Sequence, residues 1–205
     1  MSNLKYSSIS NSSTPTDLQI TILGKGVVGK SSLTYRFMNS DIPNAHDPTI
    51  EDRFKTTLSI NGQEITIDIL DTAGEEDYQN MFDMWIKHGD AFFLVFAIND
   101  EESFSILEKK REKIIKMKGK NIPIVLIGNK IDLNNKRFVN FNDGKNLSKR
   151  INCKFFETSA RNNINVDEVF ETISLLTYKF CKENKLLFNQ SFSLNNQKEK
   201  KKSCC

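Results

Sequence analysis

Apolar and polar residues alternate along Leu18-Gln19-Ile20-Thr21-Ile22-Leu23, the period-two pattern of a strand, and further on Leu33 and Phe37 share one face of a helix. Two more alternating segments, Phe54 to Ile60 and Glu64 to Leu70, flank Asn61-Gly62, a pair suited to a two-residue hairpin turn. These two strands are therefore predicted to run antiparallel. Asp90 to Asn99 and Ile122 to Ile127 are apolar enough to be buried on both faces, as parallel strands are. Between them Phe104, Leu107, Arg111, Ile114 and Ile115 recur at helical spacing. A short helix over 141–151 and a last strand from Cys153 to Phe156 follow. A helix then starts at Asn165 and Glu168, which read as a cap, and carries Val166, Val169, Phe170, Ile173, Leu176 and Phe180 as core. Strands alternating with helices predict an α/β domain.

The chemistry-bearing residues fall in the gaps of this pattern, directly after strands. Gly24-Lys25-Gly26-Val27-Val28-Gly29-Lys30-Ser31 joins the first strand to the first helix and fits G-x-x-x-x-G-K-[ST]. Such a loop turns successive amide hydrogens toward phosphate oxygens at a helix N-terminus. Lys30 adds a full charge, and the Ser31 hydroxyl is placed to ligate Mg2+. The loop Ser40 to Asp47 leads into Asp47-Pro48-Thr49-Ile50-Glu51-Asp52, where Thr49 would offer a hydroxyl to Mg2+ and an amide to a terminal phosphate. Asp71-Thr72-Ala73-Gly74 ends a strand, so Asp71 would hold the metal from the far side while the Gly74 amide touches the terminal phosphate. In Gly128-Asn129-Lys130-Ile131-Asp132 a carboxylate at Asp132 accepts both donors of guanine and repels adenine's acceptor edge, a discrimination worth several powers of ten. Lys130 would lie along the base and Asn129 would brace the loop. In Glu157-Thr158-Ser159-Ala160-Arg161, Ser159 would orient Asp132 and the Ala160 amide would donate to guanine O6. Taken singly, each of the later stretches would also serve as an ordinary turn.

Composition changes this picture mainly at the ends. The formal charge is +3, but residues 184–205 carry five lysines and one glutamate, which leaves the rest slightly acidic. A folded domain without a basic patch is not a nucleic-acid binder. Residues 1–16 are rich in Ser, Asn and Thr and read as a disordered extension, residues 17–183 as one domain, and residues 184–205 as a flexible basic tail. The longest apolar run, Ala91 to Ile98, is too short to cross a membrane, and no N-terminal signal region is evident, so the chain is expected in the cytosol. Its four cysteines are expected to be reduced thiols. Cys204 and Cys205 follow a lysine run, which points to lipidation, prenylation before palmitoylation. The expected location is the cytoplasmic face of a membrane, the plasma membrane first.

With GKGVVGKS, DPTIED, DTAGEEDY, FAIND, NKID and ETSAR in order and register, residues 17–183 closely resemble the Ras superfamily of small GTPases, the Ras branch in particular. The resemblance implies a three-layer P-loop NTPase fold, with a six-stranded mixed sheet of five parallel strands and one antiparallel, flanked by five helices. It implies a GTP hydrolase that binds GTP, GDP and Mg2+. Its phosphate contacts would be Gly24, Gly26, Val27, Val28, Gly29, Lys30, Ser31 and Ser32, and its base contacts Asn129, Lys130, Asp132, Ser159, Ala160 and Arg161. Ser31, Thr49 and Asp71 would hold the metal, and Lys30, Thr49, Gly74 and Glu75 would carry catalysis. It further implies an exchange factor, a GTPase-activating protein, and effectors that read Asp47 to Asp52.

The chain departs from that family at several positions. Ile42 stands where an aromatic usually stacks on guanine, and His46 where a tyrosine covers the phosphates, which predicts fast GDP release. Glu75 replaces the water-orienting glutamine, and Val27 replaces a loop glycine. The Cys204-Cys205 ending resembles Rab proteins instead of the C-a-a-X ending of Ras proteins. Two alternatives therefore stand beside the signalling switch: a Rab-like trafficking GTPase, and a GTP-binding module that scarcely hydrolyses.

Overall fold

A computed structural model describes residues 17–42, 51–74 and 79–202, with side chains placed for all of these except 79, 80 and 185–202. Six strands form one sheet in the order β2-β3-β1-β4-β5-β6. In chain order these are β1 (Asp17–Gly24), β2 (Glu51–Ile60), β3 (Gln63–Thr72), β4 (Ala91–Ala97), β5 (Ile124–Asn129) and β6 (Lys154–Glu157). Only β2 is antiparallel to its neighbour, paired with β3 across a turn in which Asn61 and Gly62 both hold positive φ, 52° and 76°. Both values suit the hairpin turn that the dipeptide predicted. The remaining pairs are parallel, so the sheet has the five-plus-one composition expected.

Alternation along the central strand separates two cores. Phe93, Val95 and Ala97 of β4 face one side with Ile20, Ile22, Val125 and Ile127, while Phe92, Leu94 and Phe96 face the other with Leu23 and Leu126. Helices α1 (Lys30–Phe37) and α6 (Val166–Lys202) cover the first side through Leu33, Val169, Phe170 and Ile173. The opposite side is covered by α2 (Gln79–His88), α4 (Leu107–Lys118) and α5 (Phe141–Arg150), through Trp85, Ile86, Leu107, Ile114, Leu147 and Ile151. Phe170 stacks on Phe37 at 4.1 Å and meets Phe93 edge-on at 5.0 Å, so α6 locks α1 onto β4.

Six α-helices occur among the described residues, not five. The segment after β4 breaks at Ile106 into α3 (Glu101–Ser105) and α4. The interruption is slight, since Ile106 keeps right-handed helical dihedrals and its amide still reaches the Glu102 carbonyl at 3.3 Å. In α3 the buried Ser103 hydroxyl donates to the Asp100 carbonyl at 2.6 Å and accepts from the Ala97 amide at 3.1 Å, which ties the first turn to the end of β4. Two features of α6 also differ from expectation. Asn165 sits at φ 58° with its side-chain amide donating to the Glu157 carbonyl at 2.8 Å, so it braces the preceding loop. Leu176 and Phe180 are only partly buried, whereas Tyr178 is buried and donates its hydroxyl to Gln63 Oε1 at 2.8 Å. The backbone of α6 continues across residue 184 to Lys202.

Candidate functional site

Four loops leave the carboxyl ends of β1, β3, β5 and β6 on one edge of the sheet, where open α/β sheets place ligands. A cavity of about 750 Å³ opens there, lined by Gly29, Ser32, Arg36, Asp41, Ile42, Asn129, Lys130, Asp132, Leu133, Ala160 and Arg161. The structure thus gathers the predicted base contacts other than Ser159 with part of the phosphate loop.

Asn129 is the hub of this edge and is almost wholly buried. Its Nδ2 donates to the Val28 carbonyl at 2.9 Å, and its Oδ1 accepts from Thr158 Oγ1 at 3.1 Å, so one side chain joins three loops. Gly29 is required beside it. Its φ is 93°, and a Cβ there would lie 2.5 Å from Asn129 Nδ2, so any other residue would be both strained and blocked. Lys130 extends back over the phosphate loop to the Val27 carbonyl, and burial lowers its pKa. Ser159 Oγ donates to Asp132 Oδ1 at 2.6 Å and accepts from the Asn162 amide at 3.1 Å, which places the Asp132 carboxylate at the cavity wall.

At the phosphate end, Lys30 is 6 % exposed, and its ammonium donates to the Gly24 and Lys25 carbonyls at 3.0 Å each. Burial lowers its pKa to about 8, opposed by the negative charge of Asp71. Ser31 is buried in the first turn of α1 and Asp71 is fully buried at the end of β3. Thr72 Oγ1 donates to the Ile22 carbonyl at 2.7 Å and fixes that strand end to β1. Gly74 packs directly on the phosphate loop, since a Cβ on it would stand 2.4 Å from the backbone of Gly26.

Several contacts here join residues far apart in sequence. Lys25 reaches Asp100 at 3.4 Å and also Glu102, anchoring the phosphate loop to α3. Trp85 Nε1 donates to Glu51 Oε2 at 2.8 Å, tying α2 to the start of β2. Arg36 and Thr158 were likewise not singled out, because no local pattern marks a partner so distant. Glu51 and Asp52 begin β2. Asp47, Pro48, Thr49, Ile50, His46, Glu75, Cys204 and Cys205 lie outside the described residues.

A mostly parallel sheet with a glycine-rich phosphate loop, an Asp71-to-Gly74 loop beside it and an Asn-Lys-x-Asp loop opposite defines a P-loop nucleotide-switch protein. Comparison narrows the class. Residues 19–179 match the Ras family. The chain is 36% identical over 189 residues to a Ras-like protein rasS of Dictyostelium discoideum, covering 92% of this chain and 97% of that one. It is 41% identical over 164 residues to Ras-like protein 1 of Saccharomyces cerevisiae, covering 80% of this chain and 53% of the yeast protein. The chain belongs to the Ras family. It is a small GTPase that binds GTP and GDP, hydrolyses GTP and works as a signalling switch, served by regulators and effectors.

Proposed function

We propose that the cavity takes guanine at Asp132 and the phosphates at residues 24 to 32, and that the switch works while lipid-anchored at the cytoplasmic face of the plasma membrane. In this reading residues 17–183 are the GTPase domain, residues 1–16 an extension, and residues 184–205 a tail carrying lipid on Cys204 or Cys205. An exchange factor and a GTPase-activating protein drive the cycle, and effectors read Asp47 to Asp52.

Mg2+ fits the donors present. Asp71 is a buried carboxylate and Ser31 a buried hydroxyl, both hard oxygen ligands, and Thr49 would complete the set. Bound there, the ion supplies positive charge to the outer phosphates. The chain's own residues do the rest. Lys30 trades the Gly24 and Lys25 carbonyls for phosphate oxygens, which favours its charged form. Glu75, in place of a glutamine, can accept a hydrogen bond from the attacking water but cannot, when ionised, donate one to the transferring phosphoryl group.

The observation that best supports the base assignment is the Ser159 to Asp132 bond at the cavity wall, because it fixes a carboxylate toward the ring edge. Asp132→Asn is expected to move preference from GTP to xanthosine triphosphate, since the amide complements the carbonyl that replaces guanine's amine. Competition binding with both nucleotides checks this. Full GTP affinity with no gain for the xanthine nucleotide overturns the assignment.

A further inference from the structure

Arg36 lies in the last turn of α1, the helix whose first turn closes the phosphate loop, and its Nε donates to the Ala160 carbonyl at 2.9 Å. This single bond joins positions 124 residues apart, and both residues line the same cavity. The loop it reaches is held unevenly. Ser159 is fixed on both sides, by a backbone bridge to Ile164 and by its hydroxyl on Asp132. One residue later the Ala160 amide has only a long contact, 3.4 Å, to Asn129 Oδ1, weak by ordinary hydrogen-bond geometry. The carbonyl of Ala160 is the atom that Arg36 secures.

We infer that Arg36 is a positioning residue for guanine: by holding the Ala160 carbonyl it keeps the Ala160 amide directed at O6 of the base, and so sets how long nucleotide is retained. The inference rests on the reading of this cavity as the base pocket. Held at its carbonyl, Ala160 cannot drift from the cavity wall without breaking that bond, so the residue that carries the amide keeps its place beside the base. Because α1 is a short, stiff helix, the bond also fixes the base loop relative to Lys30 and Ser31. An exposed salt bridge would add little, but this contact is a charge-assisted bond to a carbonyl whose residue is 4% exposed.

Two substitutions separate the hydrogen bond from the charge. The side-chain nitrogen of glutamine is as many bonds from the backbone as Nε of arginine, so Arg36→Gln keeps a donor at the same reach and loses the charge. Arg36→Met keeps the reach and loses the donor. Release of labelled GDP is measured from the full chain, alongside release of 6-thioguanosine diphosphate, which keeps the N1–H and 2-amine that Asp132 accepts but puts a weakly accepting sulfur in place of O6. GDP release from Arg36→Met is expected to be about fivefold faster, the effect of one lost hydrogen bond, with Arg36→Gln close to the parent. The thio nucleotide should leave all three proteins at closely similar rates.

Unchanged GDP release in Arg36→Met overturns the inference. So does equal acceleration of both nucleotides, which means general loosening, or a glutamine variant as fast as the methionine one, which means charge alone. Arg36 is partly exposed, and a melting curve confirms that each variant folds; Arg36→Ala supplies the same comparison should the methionine variant not. If the parent fails to prefer GDP over ADP, the reading of the pocket fails instead, and the two failures are told apart.

Discussion

Val27 holds φ at 62° with its side chain 79 % exposed, so a β-branched residue occupies left-handed backbone with little packing to offset it. Strain of this kind costs about 1–3 kcal/mol and persists where surroundings impose it. Here the neighbours are the Val27 carbonyl's bond from Lys130 and the adjacent Val28 carbonyl's bond from Asn129. Val27→Gly is expected to stabilise the protein by about 1 kcal/mol, because relief of strain outweighs glycine's extra freedom in the unfolded chain. Urea denaturation at one fixed GDP concentration measures it, and a loss of stability shows that the isopropyl group makes useful contacts. The glycine spacing around this residue was legible in the sequence because it is a local pattern. The conformation of Val27 was not, since φ at one position depends on what the flanking carbonyls are bonded to.

Helix α6 shows how far local pattern reaches and where it stops. The spacing of Val166, Val169, Phe170 and Ile173 marked the buried stripe, and all four are at most 1 % exposed. The same spacing carried on to Leu176 and Phe180, yet those are only partly buried, while Thr177 and Tyr178 between them are buried. Phe170 stands at the centre of the covered part, wedged between Phe37 and Phe93. Phe170→Ala is expected to cost about 3–5 kcal/mol with the denaturant slope unchanged. Leu175→Ala, 36 % exposed on the outer face, is expected to stay within about 0.5 kcal/mol. Equal effects for the two would mean that α6 does not pack as described. The junction of α3 and α4 was illegible too, since Ile106 keeps helical dihedrals and no glycine or proline marks the place.

Across the molecule, the buried ammonium of Lys30 links folding, binding and pH. Its pKa falls from 10.5 to about 8 on folding, chiefly by burial, so between those values the unfolded chain binds more protons than the folded one. Without nucleotide, stability therefore rises with pH across that window, and the cost of burying the charge is fully present below about 8. Phosphates act oppositely, since they favour the charged form. Nucleotide affinity is thus expected to be level below pH 8 in respect of this group and to decline above it. Calorimetry of GDP binding in two buffers of different ionisation heat should show little proton uptake at about pH 7 and approach about one proton at about pH 9. No uptake at the higher pH means that Lys30 does not meet the phosphates. The sheet's polarity has a practical side as well. All this chemistry lies at one end of β3, and the Asn61-Gly62 turn lies at the other, ten residues and about 30 Å away. A Cβ on Gly62 would have no atom within 4 Å, so the turn stands clear of the protein. That makes it the natural splice point for a reporter domain or surface tether, from which the cleft can be watched without being touched.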